Sequence, residues 1–325
     1  MTENGQRIIK AVRTGLPKAK KTIFWLLKLI IPISLGVQLL KYIGLLSLIS
    51  SWLNPAFQAV GLPGEASIAF VCSIFLPLYA PVAIMGTLSL TVREMTILTM
   101  MCLISHNTLV ETAVQKKTGS SFWFIWCLRF SMSFVAAFIW NFMLPDTLGV
   151  TTVATTTQPV LETFPVLMQS WAIDTVRLSL KICLIVTGLM ILQRLLEEFR
   201  VMDWLSKVFA PFMRVMGLSK DCSFLWFVAN IIGLTYGSAI LIEQIDDGKL
   251  AKADARMLNN HLAISHSLLE DTLVPATALG VPIVWITIPR LLLAIAVVWI
   301  IRLFQHLKGS KTVKKRHCIK NGTAS

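Results

Sequence analysis

Apolar residues in this chain come in long runs separated by short polar punctuation, and their lengths predict helices rather than strands. Runs at about 23–40, 66–88, 122–144, 176–196, 222–242 and 281–304 approach the roughly 20 residues that cross a hydrocarbon core. Two weaker stretches, 43–61 and 197–217, have their apolar pattern interrupted by polar or charged residues and end on a glycine, so they read as interfacial helices. A third kind of segment, 95–111 and 254–274, is helical by period but carries polar residues along one side. The purely apolar part of the first is too short to cross alone, so the pair read as re-entrant or half helices.

The elements occur twice in the same order. Ser105-His106-Asn107-Thr108-Leu109-Val110-Glu111-Thr112 returns as Ser265-His266-Ser267-Leu268-Leu269-Glu270-Asp271-Thr272. Upstream, Trp52-Leu53, Pro55 and Gly61-Leu62 return as Trp204-Leu205, Pro211 and Gly217-Leu218, and downstream Arg129 returns as Arg290. The chain is therefore a tandem duplication. Its parts are a basic arm (1–22), a first membrane repeat (23–144), an acidic and threonine-rich linker (145–175), a second repeat (176–305) and a basic tail (306–325). Three spans per repeat is an odd number, so the second repeat enters the membrane from the opposite side. The expected fold is an all-α integral membrane protein of two inverted-topology repeats, each with about three spans, a re-entrant polar helix and an interfacial helix.

Composition agrees with a membrane solvent: of 325 residues, 55% are hydrophobic and 14% charged, and the mean hydropathy is +0.70. The net charge of +13 would admit a nucleic-acid partner, but its distribution argues against one. Residues 1–22 hold six Lys/Arg and one Glu, residues 301–325 hold seven Lys/Arg and no acid, and no basic face interleaved with aromatics lies between them. These tails read as cytoplasmic topology signals that meet anionic lipid headgroups, the first as a short surface helix ending near Pro17. The linker, with Asp146, Glu162, Asp174 and the threonines at 155–157, carries no Lys or Arg and falls on the opposite side. Six cysteines without paired spacing read as core residues, and no cofactor motif occurs.

The candidate chemistry lies where the repeats match. The second apolar run of each repeat is interrupted, at Leu76-Pro77-Leu78-Tyr79 and at Gly233-Leu234-Thr235-Tyr236, and broken helices at equivalent positions point to a transporter's binding site. Ser105, His106, Asn107 and Glu111 from one polar helix, and Ser265, His266, Ser267, Glu270 and Asp271 from the other, would then meet Tyr79 and Tyr236 around a polar pocket for a small solute or ion. The competing reading has these groups only tying half helices to their neighbours. Arg129 and Arg290 would be charge partners for Glu111 and Asp271, or would receive an anionic solute. His266, Glu270 and Asp271 with His106 and Glu111 could also ligate a divalent metal, although no tight motif such as H-E-x-x-H marks one, and whether a metal binds stays open. Adjacent Ser and His point about 100° apart on a helix, so no catalytic pair, and no enzyme, is expected.

The run Gly-Leu-Pro-Gly-Glu-Ala-Ser at 61–67, the break after it, and Ser105-His106-Asn107 to Glu111 followed by Lys116-Lys117-Thr118-Gly119 resemble the bacterial nucleoside-recognition, or Gate, domain family. The resemblance covers most of the chain once per repeat, and the second copy departs from it where Leu-Ser-Lys-Asp-Cys-Ser replaces Leu-Pro-Gly-Glu-Ala-Ser. That domain is similar to segments of concentrative nucleoside transporters, ferrous-iron transport protein B and the spore maturation proteins A and B. The resemblance implies a permease or gate in the bacterial cytoplasmic (inner) membrane, or else a non-transporting scaffold that works with a membrane partner or as a homo-oligomer. A membrane-embedded metal-dependent hydrolase is the third reading. No P-loop of the GxxxxGK[ST] type is present, so an iron-transporter reading lacks its nucleotide engine.

Overall fold

The computed structural model describes residues 3–145, 148 and 163–321, and no strand occurs among them. The first repeat runs α1 (Glu3–Tyr42), α2 (Leu45–Gln58), α3 (Ala66–Phe75), α4 (Tyr79–Met85), α5 (Val92–Ser105), α6 (Thr108–Lys117) and α7 (Phe122–Met143). The second runs α8 (Phe164–Glu198), α9 (Val201–Val215), α10 (Ser223–Ile231), α11 (Leu234–Asp246), α12 (Lys252–Ile264), α13 (Glu270–Leu279) and α14 (Ile283–Asn321). The two series correspond helix for helix.

Among the described residues, five stretches are long and apolar enough to cross a membrane: Asn4–Leu40, Val92–Lys117, Phe122–Met143, Phe164–Glu198 and Ile283–Leu307. The protein is an all-α membrane protein. Val92–Lys117 is among the five when taken through its break, whereas its apolar pattern alone marks a half helix. Other boundaries also differ from the sequence pattern. The expected short surface helix does not end near Pro17: α1 runs unbroken from Glu3 through it, and Arg7 bonds Glu198 at 3.2 Å and lies over the Phe199 ring. The linker's second half is helical, because α8 starts at Phe164 with a proline in its first turn. Asp146, Glu162 and the 155–157 threonines lie outside the described residues.

Helix breaks at matching positions organise the interior of both repeats. Proline makes the first: Leu76, held extended before Pro77 (φ −123, ψ 154), ends α3. Its counterpart in the second repeat is a glycine, Gly233 at φ 118, between α10 and α11. The polar helices are themselves broken, between α5 and α6 and between α12 and α13. Asn107 and Ser267 take left-handed φ values of 49 and 47 at these points. The polar pattern alone suggests continuous helices here, with the histidines and carboxylates on one side. Instead each histidine precedes, and each carboxylate follows, a turn.

The breaks satisfy one another. Asn107 N–H donates to Ser73 O (2.7 Å) and Leu76 O (2.9 Å), while Ser267 N–H donates to Ala229 O and Leu269 N–H to Asn230 O. Backbone groups freed in one broken helix are thereby paired with those freed in the other, a requirement where no bulk water is available. A capping box starts α5: Thr91 Oγ1 accepts from Glu94 N–H, and Glu94 Oε2 accepts from Thr91 N–H at 2.7 Å.

Packing follows the duplication. α1 lies along α8, α5 packs on α7 and α12 on α14, and across the repeats α4 meets α13, α11 meets α6, α7 meets α12 and α14 meets α5. Every residue of α5 from Met95 to Ser105 is buried. The outer faces of α7 and α14 instead expose Trp123, Phe138, Phe142, Leu292, Trp299 and Leu303, a surface suited to acyl chains. α2 and α9 both end on a left-handed glycine, Gly61 (φ +75) and Gly217 (φ +72), with Leu62 N–H bonding Phe57 O and Leu218 N–H bonding Met213 O.

Candidate functional site

The two polar breaks face each other between the repeats. Each histidine is oriented by its own helix end: His106 Nδ1 lies 3.2 and 3.1 Å from the carbonyls of Cys102 and Leu103, and His266 Nδ1 lies 2.8 Å from that of Leu262. A carbonyl only accepts, so both Nδ1 atoms carry hydrogen, and in the neutral form of each ring Nε2 directs a lone pair inward. Those Nε2 atoms stand 3.4 Å apart.

The carboxylates following each break reach the same point. Glu111 Oε1 lies 3.5 Å from His106 Nε2 and its Oε2 lies 3.1 Å from His266 Nε2. Asp271 Oδ2 lies 3.4 Å from His106 Nε2 and 3.9 Å from His266 Nε2. All four side chains are buried, His266 to 1% and Asp271 to 7% exposure. His106, His266 and Asp271 offer ligand atoms within 4.8 Å of one another, the spacing of a metal-ligand group.

The arginines expose an asymmetry between the repeats. Arg129, fully buried on α7, donates to Ile104 O (2.8 Å), to His106 O (2.7 Å) and to Glu111 Oε2 (2.7 Å). It thus caps the end of α5 and holds the carboxylate. Arg290, fully buried on α14, donates to His266 O at 2.9 Å, but its Nε and Nη1 have no partner among the described residues. Asp271 is one methylene shorter than Glu111, and its Oδ2 accepts no hydrogen bond among the described residues. The expected second arginine–carboxylate bond is therefore not made, whereas the first is.

The other candidate residues form a surrounding shell. Tyr79, at the start of α4, hydrogen-bonds Glu270 across the repeat boundary. Ser105 Oγ bonds Ser73 Oγ (2.7 Å) and Met101 O (2.8 Å), away from the imidazoles. Asn107 and Ser267 contribute their backbone turns. Buried Ser265 has an Oγ unpartnered among the described residues. Tyr236 lies on α11, and its side chain falls outside the described residues.

Three further polar features lie outside the histidine centre. Gln115 Nε2 donates to Asn259 O (3.1 Å), and Asn259 Nδ2 donates to Thr118 Oγ1 (2.6 Å) and Ser120 Oγ (2.9 Å), a second polar bridge between the repeats. Buried His261 has neither ring nitrogen paired among the described residues. A cavity of about 580 Å³, lined by residues including Ser120, Asp254, Arg256, Asn260 and Gln305, shares no residue with the histidine centre. Polar side chains on an otherwise buried helix were the available signal for Asn259 and His261.

Comparisons with known proteins agree with this duplication. The chain is 29% identical over 278 residues to the uncharacterized membrane protein YvoD of Bacillus subtilis (strain 168), covering 84% of this chain and 88% of that protein. No solved structure matches. The family described as Gate, nucleoside recognition, matches twice, at residues 23–122 and 179–297, so that each match takes in one of the two polar breaks. With two thirds of its length accounted for in this way, the chain belongs to the Gate family of membrane proteins.

Proposed function

We propose that this protein is a permease of the bacterial cytoplasmic membrane, carrying a small polar solute or ion by alternating access through the centre between its two Gate repeats. One observation carries the reading: two histidines and two carboxylates, all buried, converge from four half helices at matching breaks in the two repeats. Ionisable groups at membrane depth are costly to keep and normally serve a pathway. Half helices meeting at a repeat interface are how many secondary transporters build their sites.

In this reading the enclosed centre is the occluded state, and the polar bridges Tyr79–Glu270 and Gln115–Asn259 hold the repeats closed over it. Both basic termini face the cytoplasm, next to anionic headgroups. In this reading Ser105, bonded to Ser73 and Met101 rather than to an imidazole, is a packing group and not a nucleophile.

The test is uptake into proteoliposomes across nucleosides, nucleobases, divalent cations and small anions, with Asp271→Asn as the matched variant. Saturable uptake of one class, lost in the variant while the protein stays monodisperse, is the expected result. A folded protein that moves none of these solutes sinks the permease reading and favours a membrane scaffold.

A further inference from the structure

The centre between the two polar breaks is rich in lone pairs and poor in protons. Both Nδ1 atoms are committed to carbonyls, so in the neutral form of each ring Nε2 is a lone pair with no hydrogen to offer. Two such nitrogens nevertheless stand 3.4 Å apart, with carboxylate oxygens at 3.1–3.5 Å and one at 3.9 Å, and Asp271 Oδ2 receives no hydrogen bond from any described residue. Acceptors crowded in this way repel one another unless a positive centre sits among them.

The spacing identifies the kind of centre. Ligands about 2.0–2.1 Å from a tetrahedral metal ion lie roughly 3.3–3.4 Å from one another. Among His106 Nε2, His266 Nε2 and Asp271 Oδ2 the separations are 3.4, 3.4 and 3.9 Å, close to that edge length, and Glu111 Oε1 and Oε2 lie 3.5 and 3.1 Å from the two imidazoles. Supporting contacts are also in place: a carbonyl orients each imidazole, and Arg129 holds Glu111 at 2.7 Å.

We propose that His106 Nε2, His266 Nε2 and Asp271 Oδ2 form a binding site for one divalent first-row transition metal ion, with the Arg129-bound Glu111 carboxylate beside it and water or solute in the fourth position. Two imidazoles and a carboxylate suit zinc, cobalt, manganese or ferrous ions better than magnesium or calcium, which prefer all-oxygen shells. The inference deepens the permease reading, and rests on it, in treating the ion as cargo.

Charge sets how tightly the ion is held. With neutral imidazoles, Glu111 and Asp271 balance Arg129 and Arg290, so a dication leaves a surplus of two charges in a buried place. That surplus favours reversible occupancy, which a carrier needs. It also favours entry of the ion with a small anion, for which Arg290 Nε and Nη1 are donors unpaired among the described residues.

The experiment titrates the detergent-purified full chain with Co2+, following its visible d–d absorption, then displaces it with Zn2+. Intense bands typical of four-coordinate cobalt, saturating at one ion per chain and abolished by Zn2+, are expected. The bands should vanish in His106→Gln, His266→Gln and Asp271→Asn but persist in Glu270→Gln. Should a histidine variant fail to fold, Asp271→Asn, which removes a charge bonded to no described donor, carries the test. A folded wild-type protein giving no cobalt bands and no Zn2+ thermal stabilisation overturns the site, as do bands that survive all three substitutions. Flux in proteoliposomes separates the two proposals: metal binding without flux of Zn2+ or of any other solute upholds the site and overturns the permease reading, and metal binding with flux of another solute alone overturns the ion's role as cargo. Flux of another solute by a protein blind to metal overturns the metal site alone.

Discussion

Arg129 and Glu111 are joined at 2.7 Å in the interior of the first repeat, whereas the corresponding Arg290 makes no bond to Asp271. The two halves of the centre thus hold the same charges in different states of commitment. Glu111 is fixed to its arginine, and Asp271 is left to the histidines.

This asymmetry predicts unequal costs for two similar substitutions. Glu111→Gln strands a fully buried guanidinium and should lower stability by about 3–5 kcal/mol. Asp271→Asn breaks no hydrogen bond to a described donor but takes a balancing charge from buried Arg290, and should cost less, about 1 kcal/mol. Thermal unfolding of both variants in the same detergent is the check, and equal losses would show that the pairing is symmetric after all.

The Tyr79–Glu270 bond links α4 of one repeat to α13 of the other. Tyr79→Phe should cost about 1 kcal/mol by leaving a half-buried carboxylate without its donor. In a double-mutant cycle with Glu270→Gln, the coupling should exceed about 0.5 kcal/mol. A coupling of zero would mean that the two groups do not meet.

Asn259 donates to Thr118 and Ser120 from a fully buried position. Asn259→Ala should therefore destabilise by about 1–3 kcal/mol through the unsatisfied groups left behind. Asn259→Asp, which offers no amide hydrogens, should be at least as damaging. If the aspartate variant matches wild type, the bridge is not made by the amide nitrogen.

Gly61 sits at φ +75, and a Cβ there would fall 2.0 Å from Asn141 Oδ1. Gly61→Ala should be destabilising by about 1–2 kcal/mol from the backbone term alone, plus the displacement of Asn141. Gly36 lies inside α1, where an added Cβ would meet nothing within 4 Å, and it should gain about 0.5–1 kcal/mol as alanine. Opposite signs at the two glycines are the expected readout of a thermal-shift comparison.

The duplication, the interrupted runs and the pairing of Arg129 with Glu111 are all readable from residue order, because repeated polar residues in an apolar chain stand out. The break inside each polar helix is not. Neither Asn107 nor Ser267 is a strong helix breaker, and their left-handed turns depend on partners in the preceding broken helix, at Ser73 and Leu76 and at Ala229. The missing Arg290–Asp271 bond is equally hidden, since charge balance alone treats Asp and Glu as interchangeable. Only the reach of one methylene separates them. The start of α8 at Phe164 is masked by a mixed segment whose pattern ends neither as loop nor as span.

The hydrogen bonds that splice the breaks also constrain movement. Sliding α5–α6 away from α3–α4 would strip Asn107 N–H of both its carbonyls, and parting α12–α13 from α10–α11 would do the same to Ser267 and Leu269. In a medium that supplies no replacement partners, each such quartet of half helices is a stiff block. Displacement then concentrates on the seam between the blocks, at His106 against His266, Tyr79 against Glu270 and Gln115 against Asn259, so that the moving joint and the binding centre are the same place.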